Sequence, residues 1–303
     1  MEADLTQPYP LIRCTICGTA STVGSAPPEL YATGTYQSDV PRGAGLVASV
    51  LRLFVGERVR ITKLAHPPPA TLLDVGAGRG RFVLAAERVG YATQGIEPAG
   101  ARVHEAASQG ARVRQAGIED ADVRRNSYDI ATLWHVLEHV DDPARALGQV
   151  ASWVRPGGTV VVAVPNLSSW QARIGGTRWF HLDVPRHRTH FTRTGLLSLV
   201  DAVGLVVVRE HHFLLEHNAF GMWQTWVNHL TSHPSYLYNL LKRNASLSVR
   251  DVLATAICVP LAPVAVAAEL TAGLVRRGGT VVITARVEHC STSVFAPFSA
   301  EPA

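Results

Sequence analysis

Residues Thr71 to Phe82, TLLDVGAGRGRF, constrain the fold of this 303-residue chain more than any other stretch. Leu72 and Leu73 begin a buried strand that closes on Asp74 and Val75. Gly76, Gly78 and Gly80 follow, in a turn where the backbone can fold tightly and come close to a ligand. Phe82 to Ala86 then opens a helix. A strand, a glycine-rich turn and a helix form the front half of a nucleotide-type binding unit. The spacing is G-x-G-x-G, not the G-x-G-x-x-G of dinucleotide sites, and an acid stands two residues before the first glycine. An acid there suits a cationic ligand, such as S-adenosylmethionine (SAM) with its ammonium and sulfonium, better than one presenting phosphates.

Downstream the hydrophobic pattern alternates between periods of two and 3.6. It predicts strands over Thr71–Val75, Ala92–Glu97, Arg112–Gln115, Tyr128–Leu133 and Thr159–Val164, with helices near 81–89, 103–108 and 142–154 between them. A helix near 194–203, a strand at Leu205–Val208 and a late β-branched strand, Thr280–Val287, complete the series. Such alternation implies an α/β fold with a mostly parallel sheet covered on both faces. Upstream, residues 46–64 carry apolar side chains at helical spacing, and Pro67-Pro68-Pro69 ends that helix. Residues 1–45, rich in Gly, Pro, Ser and Thr, read as an irregular arm.

The net charge of +4 is mild for this length and no dense basic run occurs, which disfavours nucleic acid as a partner. The four cysteines, Cys14, Cys17, Cys258 and Cys290, make no disulfide framework, and MEADLTQPYP lacks the basic start and apolar core of a signal peptide. The expectation is a reducing, cytoplasmic location. Cys14-x-x-Cys17 offers two thiolates where a structural zinc takes four ligands, so it reads as a vestigial knuckle.

Several motifs in order resemble those of class I SAM-dependent methyltransferases, in particular the broad bacterial group that includes the ubiquinone-biosynthesis type. They are LLDVGAGRGRF, GIEP at Gly95 to Pro98, YDIATLWHVLEHVDDP at Tyr128 to Pro143, VRPGGTVVVAVPN at Val154 to Asn166, and HLDVPRHRTHFT at His181 to Thr192. The resemblance covers roughly residues 71–205. It implies a Rossmann-like seven-stranded sheet whose last strand runs antiparallel between strands five and six. It implies SAM as cofactor, leaving S-adenosylhomocysteine as product. Asp74, Gly76 and Gly78 would hold the methionine part, Glu97 and Pro98 the ribose end, Ile118 and Glu119 the adenine. Trp134 and His135 would stand where cofactor and acceptor meet.

The His181–His190 loop gathers His181, Asp183, Arg186, His187, Arg188 and His190 within ten residues. Histidine titrates near neutrality and can take a proton from a hydroxyl during methyl transfer. His187 is the first candidate, His190 the second and His139 of the LEHVDDP stretch the third. His187-x-x-His190 lacks a clear third ligand, so no metal is assigned.

The expected division is an N-terminal arm and helix over 1–69, a SAM-binding domain over 70–212 and 278–290, an apolar helical insertion over 213–277, and a disordered tail over 291–303. Within the insertion, Val252 to Ala268 has no charge and approaches the ~20 residues that span a bilayer. Pro260, Pro263, Glu269 and the need to return to the sheet argue against a span. A buried helix pair is the simpler reading; a lid, or an apolar surface facing a greasy substrate or a membrane, is the alternative. Phe220, Trp223, Trp226 and Val227 read as packing. The expected activity is methyl transfer to a small molecule, first to a hydroxyl oxygen of a secondary metabolite or an apolar, lipid-like compound. N- or C-methylation (including that of sugars) and a non-catalytic SAM-binding or membrane-peripheral role stay open, as does a homodimer.

Overall fold

In the computed structural model, residues 9–24, 45–241 and 246–288 are described; Cys290 and the 291–303 tail lie outside them. Two short strands, β1 (Leu11–Arg13) and β2 (Ala20–Thr22), form an antiparallel hairpin around the Cys14–Cys17 turn. The arm is therefore not irregular throughout. Its hairpin gains a third strand from far away, β8 (Thr189–His190), which pairs with β2. Composition hid this, because strands of two or three residues carry almost no periodicity.

After α1 (Gly45–Ala65) come β3 (Thr71–Val75), α2 (Arg81–Arg88), β4 (Ala92–Glu97), α3 (Gly100–Ser108) and β5 (Val113–Gln115). Then follow β6 (Tyr128–Trp134), α4 (Pro143–Trp153), β7 (Val154–Pro165), α5 (Trp170–Gly175), α6 (Arg193–Ala202) and β9 (Leu205–His211). Four further helices precede the last strand: α7 (Leu215–Asn228), α8 (Tyr236–Leu241), α9 (Val249–Cys258) and α10 (Ala262–Leu274). β10 (Thr280–Val287) then returns to the sheet.

The large sheet has seven strands in the order β5-β4-β3-β6-β7-β10-β9. β10 runs antiparallel to both neighbours, β7 and β9, as expected. Both faces are covered. Leu73, Leu133, Val162 and Ile283 meet a core that includes Leu147 and Val150 of α4 and Leu196 of α6. Leu72, Val161 and Val282 point the other way, against Ile61 of α1 and Phe82 of α2. Adjacent buried residues on one strand are what a sheet covered on both faces requires. Asp142 caps α4 through its Oδ1, which accepts the Arg145 N–H at 3.0 Å ahead of Pro143 at the first helical turn.

Strand order reverses between β3 and β6: β4 and β5 extend to one side, β6 and β7 to the other. In doubly wound sheets ligands bind outside the carboxyl ends of the strands at this switch point. Asp74 and Trp134 lie at the two strand ends that meet there.

Met222, Trp223 and Val227 of α7 pack with Cys258 and Ala265, with Phe220 and Trp226 against them, so the aromatics of the insertion are packing. The α9–α10 pair differs from the buried pair expected. One face lies on α7, and the other is exposed through Leu253, Ile257, Val264 and Leu274.

Candidate functional site

The glycine turn after β3 is built by distinct local demands. Gly76, Gly78 and Gly80 adopt φ of 70°, 53° and 71°, where side chains are strained. A Cβ on Gly76 would come within 2.5 Å of Val136, and one on Gly80 within 2.4 Å of Ala111. These two glycines are there for packing. Gly78 is different: a Cβ there would meet nothing within 4 Å, so the space above it is open. The Gly76 and Ala77 N–H groups donate to the Ile96 carbonyl and hold the turn against β4.

Glu97, at the end of β4, is buried. Its Oε2 accepts the Gly78 N–H at 3.0 Å and its Oε1 the Ala99 N–H at 3.1 Å. The carboxylate thus stands beside the open glycine. Pro98 is exposed and turns the chain toward α3, while Ile118 is buried and Glu119 exposed on the loop after β5. Asp74 is buried, and its Oδ1 accepts the Thr132 hydroxyl at 2.7 Å. Burial pushes its carboxyl up to about 7 against the lowering effect of Thr132.

Beyond β6 the backbone breaks sharply. Trp134 turns into the core, edge-on to Phe82 with ring centroids 5.7 Å apart and Arg58 of α1 above its ring. His135 takes a left-handed conformation, φ 57°, which costs energy for a non-glycine residue and clusters at functional sites. Its side chain meets His217 of α7 with ring centroids 4.0 Å apart and His181 at 6.4 Å. The His135 Nδ1 lies 3.1 Å from Glu138 Oε1, and its Nε2 is buried without a partner. Burial holds the His135 ring down at about 3 and pushes the Glu138 carboxyl up to about 7. Burial thus disfavours the charged form of both partners.

Arg58 donates to Glu216 and lies 3.3 Å from His217 Nε2, tying α1 to α7 over this cluster. His181 is held by the His217 carbonyl at 3.3 Å. Gly221 allows that contact, since a Cβ there would come within 2.6 Å of the His181 ring.

The loop histidines divide. The His187 Nδ1 donates to the His181 carbonyl at 2.9 Å, and the His139 Nδ1 to the Arg186 carbonyl at 3.1 Å. Both rings therefore present Nε2 inward. With Glu138, these two histidines offer ligand atoms within 4.8 Å of one another, a group that could hold a cation. His190 turns away. It sits on β8, 2.9 Å from the Thr22 hydroxyl, and braces the N-terminal hairpin. Cys14 and Cys17 of that hairpin are free thiols.

Of the residues singled out in sequence, the fold brings Asp74, Gly76, Gly78, Glu97, Trp134 and His135 to one end of the sheet. It sets His139 and His187 beside Glu138, and it leaves His190 in a separate sheet. Arg58 and His217 had no motif to mark them. The one signal was the polar Glu216-His217-Asn218 run opening an otherwise apolar insertion.

Residues 48–210 match a family model described as a methyltransferase domain. A ubiquinone biosynthesis O-methyltransferase of Aeromonas salmonicida (strain A449) is 33% identical over 149 residues, 45% of this chain and 63% of that protein. An uncharacterized methyltransferase of Mycobacterium sp. (strain JLS) is 32% identical over 142 residues, 46% of this chain and 55% of that protein. The chain spans about three-fifths of the length of the curated relatives it matches. Among solved structures, geranyl diphosphate methyltransferase in complex with SAM aligns at a TM-score of 0.53 and 16% identity, covering 84% of this chain and 95% of that chain. That likeness shows the fold.

Proposed function

We propose that this chain, which belongs to the methyltransferase-domain family, transfers a methyl group from SAM to a hydroxyl oxygen of a small, largely apolar acceptor. The residues present fit SAM. The open space over Gly78 is bordered by the Glu97 carboxylate, which suits a ribose diol, and the buried Asp74 at the neighbouring strand end suits a cationic group. When bound, SAM supplies an electrophilic methyl on a sulfonium.

The single observation that carries the acceptor chemistry is the His135–Glu138 pair. Glu138 holds the Nδ1 of His135 and leaves Nε2, buried and unpartnered, open to a proton; with the ring held down at about 3 it is a weak base that accepts only as the forming C–O bond acidifies the hydroxyl. This is the orienter–base arrangement that activates weak nucleophiles. In this reading the acceptor hydroxyl gives its proton to His135 Nε2 as the new C–O bond forms and the C–S bond breaks. His181 and His217 pack beside the His135 ring, with centroids 6.4 Å and 4.0 Å away, so in this reading the acceptor is oriented against a ring cluster. His187, first choice on sequence alone, becomes a residue that positions the loop through the His181 carbonyl. The names of the ubiquinone-biosynthesis relatives, which are O-methyltransferases, favour oxygen over nitrogen or carbon.

The test is calorimetric titration with S-adenosylhomocysteine, followed by incubation of the protein with SAM and a panel of phenols and catechols of increasing apolarity. Micromolar S-adenosylhomocysteine binding and a 14 Da gain on oxygen are expected. Binding of NADH in place of S-adenosylhomocysteine overturns the cofactor reading, and methylation confined to amines or carbon overturns the acceptor reading.

A further inference from the structure

The helices α9 and α10, joined by a single 3-10 turn at Val259–Leu261, form a 26-residue rod from Val249 to Leu274. At 1.5 Å per residue it is about 39 Å long. Its polarity is inverted relative to a helix on the surface of a soluble protein. The buried stripe follows a seven-residue helical repeat through Asp251, Thr255, Cys258, Ala265, Glu269 and Ala272. It contains two acids and no leucine, isoleucine or valine. The outward face carries Leu253, Ile257, Val264 and Leu274 at 57%, 72%, 55% and 86% exposure. Between Val252 and Val275 no charged side chain reaches the surface.

Polar contacts fix the rod in this orientation. The Glu269 Oε1 accepts the Gln171 amide at 2.7 Å, and its Oε2 accepts the Asn218 amide at 2.9 Å and the Gly279 N–H at 3.2 Å. The Asp251 Oδ1 accepts the Ser232 N–H at 2.9 Å. These bonds tie Glu269 to α5, α7 and the residue before β10, and Asp251 to the loop after α7, so the apolar face cannot rotate inward.

The geometry points to a rod that lies flat on an anionic lipid bilayer, apolar face down. The charged side chains exposed at its ends among the described residues are all arginine: Arg250 at one end, Arg276 and Arg277 at the other. Anionic headgroups complement that pattern, and long basic side chains beside an apolar helix face are how interfacial helices anchor. A second copy fits less well, because pairing two rods in either direction sets arginine against arginine. Spanning is disfavoured as well: the rod would have to leave α7 and carry Asp251 and Glu269 into hydrocarbon, where an acid is costly. The rod packs on α7, the helix that supplies His217, so docking holds the candidate site one helix layer from the bilayer. This inference stands independently of the methyl-transfer reading.

The experiment is flotation of the full chain, without SAM, on vesicles of phosphatidylcholine alone and of phosphatidylcholine with one-third phosphatidylglycerol. The chain is expected to float at least tenfold more with the anionic vesicles, and less as salt rises. The combined variant Leu253→Ser, Ile257→Ser, Val264→Ser, Leu274→Ser should stay at the bottom while binding S-adenosylhomocysteine as the unaltered chain does. Arg250→Glu with Arg276→Glu and Arg277→Glu should lose the anionic preference without touching the apolar face, which covers the case where the serine variant misfolds. Failure of the unaltered chain to float with either vesicle overturns the inference, as does flotation of both variants at its level. A concentration-dependent dimer in sedimentation, abolished by the serine variant and without flotation, assigns the face to a second copy and also overturns it.

Discussion

The Nδ1 of His135 and the Oε1 of Glu138 lie 3.1 Å apart, across a backbone reversal in which His135 adopts φ 57°. Neither feature is cheap. A left-handed non-glycine residue costs about 1–2 kcal/mol, and the Glu138 carboxyl is fully buried with its Oε2 unpartnered. The fold tolerates both at the strand end where the buried Trp134 packs on Phe82 and the next residue, His135, meets His217 and Glu138.

From that pair follows a direct kinetic expectation. His135→Asn, chosen because asparagine tolerates the left-handed region, should lower kcat roughly 10²–10⁴-fold while S-adenosylhomocysteine affinity changes little. Glu138→Gln should show a smaller loss of kcat with the same intact affinity. His187→Ala should lower thermal stability more than kcat. Steady-state kinetics alongside melting curves check all three; full turnover by the His135 variant removes it as the base.

The two glycines Gly78 and Gly80 should separate binding from folding. Gly80→Ala drives a Cβ to 2.4 Å from Ala111 at φ 71°, and overpacking with strain costs about 2–4 kcal/mol. Gly78→Ala meets nothing within 4 Å, so its stability cost is the conformational one alone, about 1 kcal/mol. Its methyl group fills the open space beside Glu97, and S-adenosylhomocysteine affinity should fall at least tenfold. Glu97→Gln should weaken binding similarly with no change in melting temperature beyond a degree or two. Calorimetry and melting curves on the three variants give the comparison.

The sheet was legible because β3, β6, β7 and β10 carry consecutive apolar residues and the connections between strands follow the alternation of periods. β3, β4 and β10 carry the predicted bounds, Thr71–Val75, Ala92–Glu97 and Thr280–Val287. The Asp74 to Glu97 half of the site was legible for the same reason, since one strand–turn–helix unit holds it. The other half was not. His135, His181 and His217 come from the turn after β6, a 3-10 turn and α7, and only the packing of the insertion brings the His217 ring to a centroid distance of 4.0 Å from that of His135. The β1–β2 hairpin escaped because it has three residues per strand, and the partner that completes it, β8, is some 170 residues away. The outward face of α9–α10 was legible only as the second reading, because its composition is also that of a core helix; Glu269, read as evidence against a membrane span, is the clamp that turns the apolar side out.

The pH dependence of stability should be steep on the acid side. His181 is held down at about 3, His190 at about 4 and His217 well below its ordinary value, each chiefly by burial. A lowered histidine favours the neutral form in the folded state. Its contribution is complete above about 6.5 and is lost as pH falls toward the folded value, at about 1.4 kcal/mol per pH unit for each group. Asp74 acts in the opposite sense. Its raised carboxyl favours the protonated form, so its contribution is present below about 3.9 and is lost as pH rises through about 7. His135, at about 3, and His187, well below its ordinary value, act with these histidines, and Glu138, raised to about 7, acts with Asp74; five histidines against two acids leave a net fall between pH 6.5 and 4.5. Melting temperatures across that range should drop by several degrees, and Asp74→Asn should gain on the unaltered chain as pH rises from 4 to 7. A flat profile contradicts the neutral histidine cluster.

Glu269 offers the sharpest test of how the insertion is held. It is fully buried and accepts from the Gln171 and Asn218 side chains and the Gly279 N–H. Glu269→Ala leaves those three donors in a dry interior, and each unmet donor costs about 1–3 kcal/mol. Partial rearrangement of the two amides reduces the total, so a loss of at least about 2 kcal/mol is expected in denaturant unfolding. Glu269→Gln should lose less, because its amide oxygen still accepts while its amide nitrogen faces a donor. The damage should be local before it is global. Hydrogen exchange should rise first in α10 and at the start of β10, where Gly279 sits against Gln171, while β3, β4 and β6 stay protected. Uniform loss of protection across the sheet would mean that the rod is integral to the core and not clamped onto it.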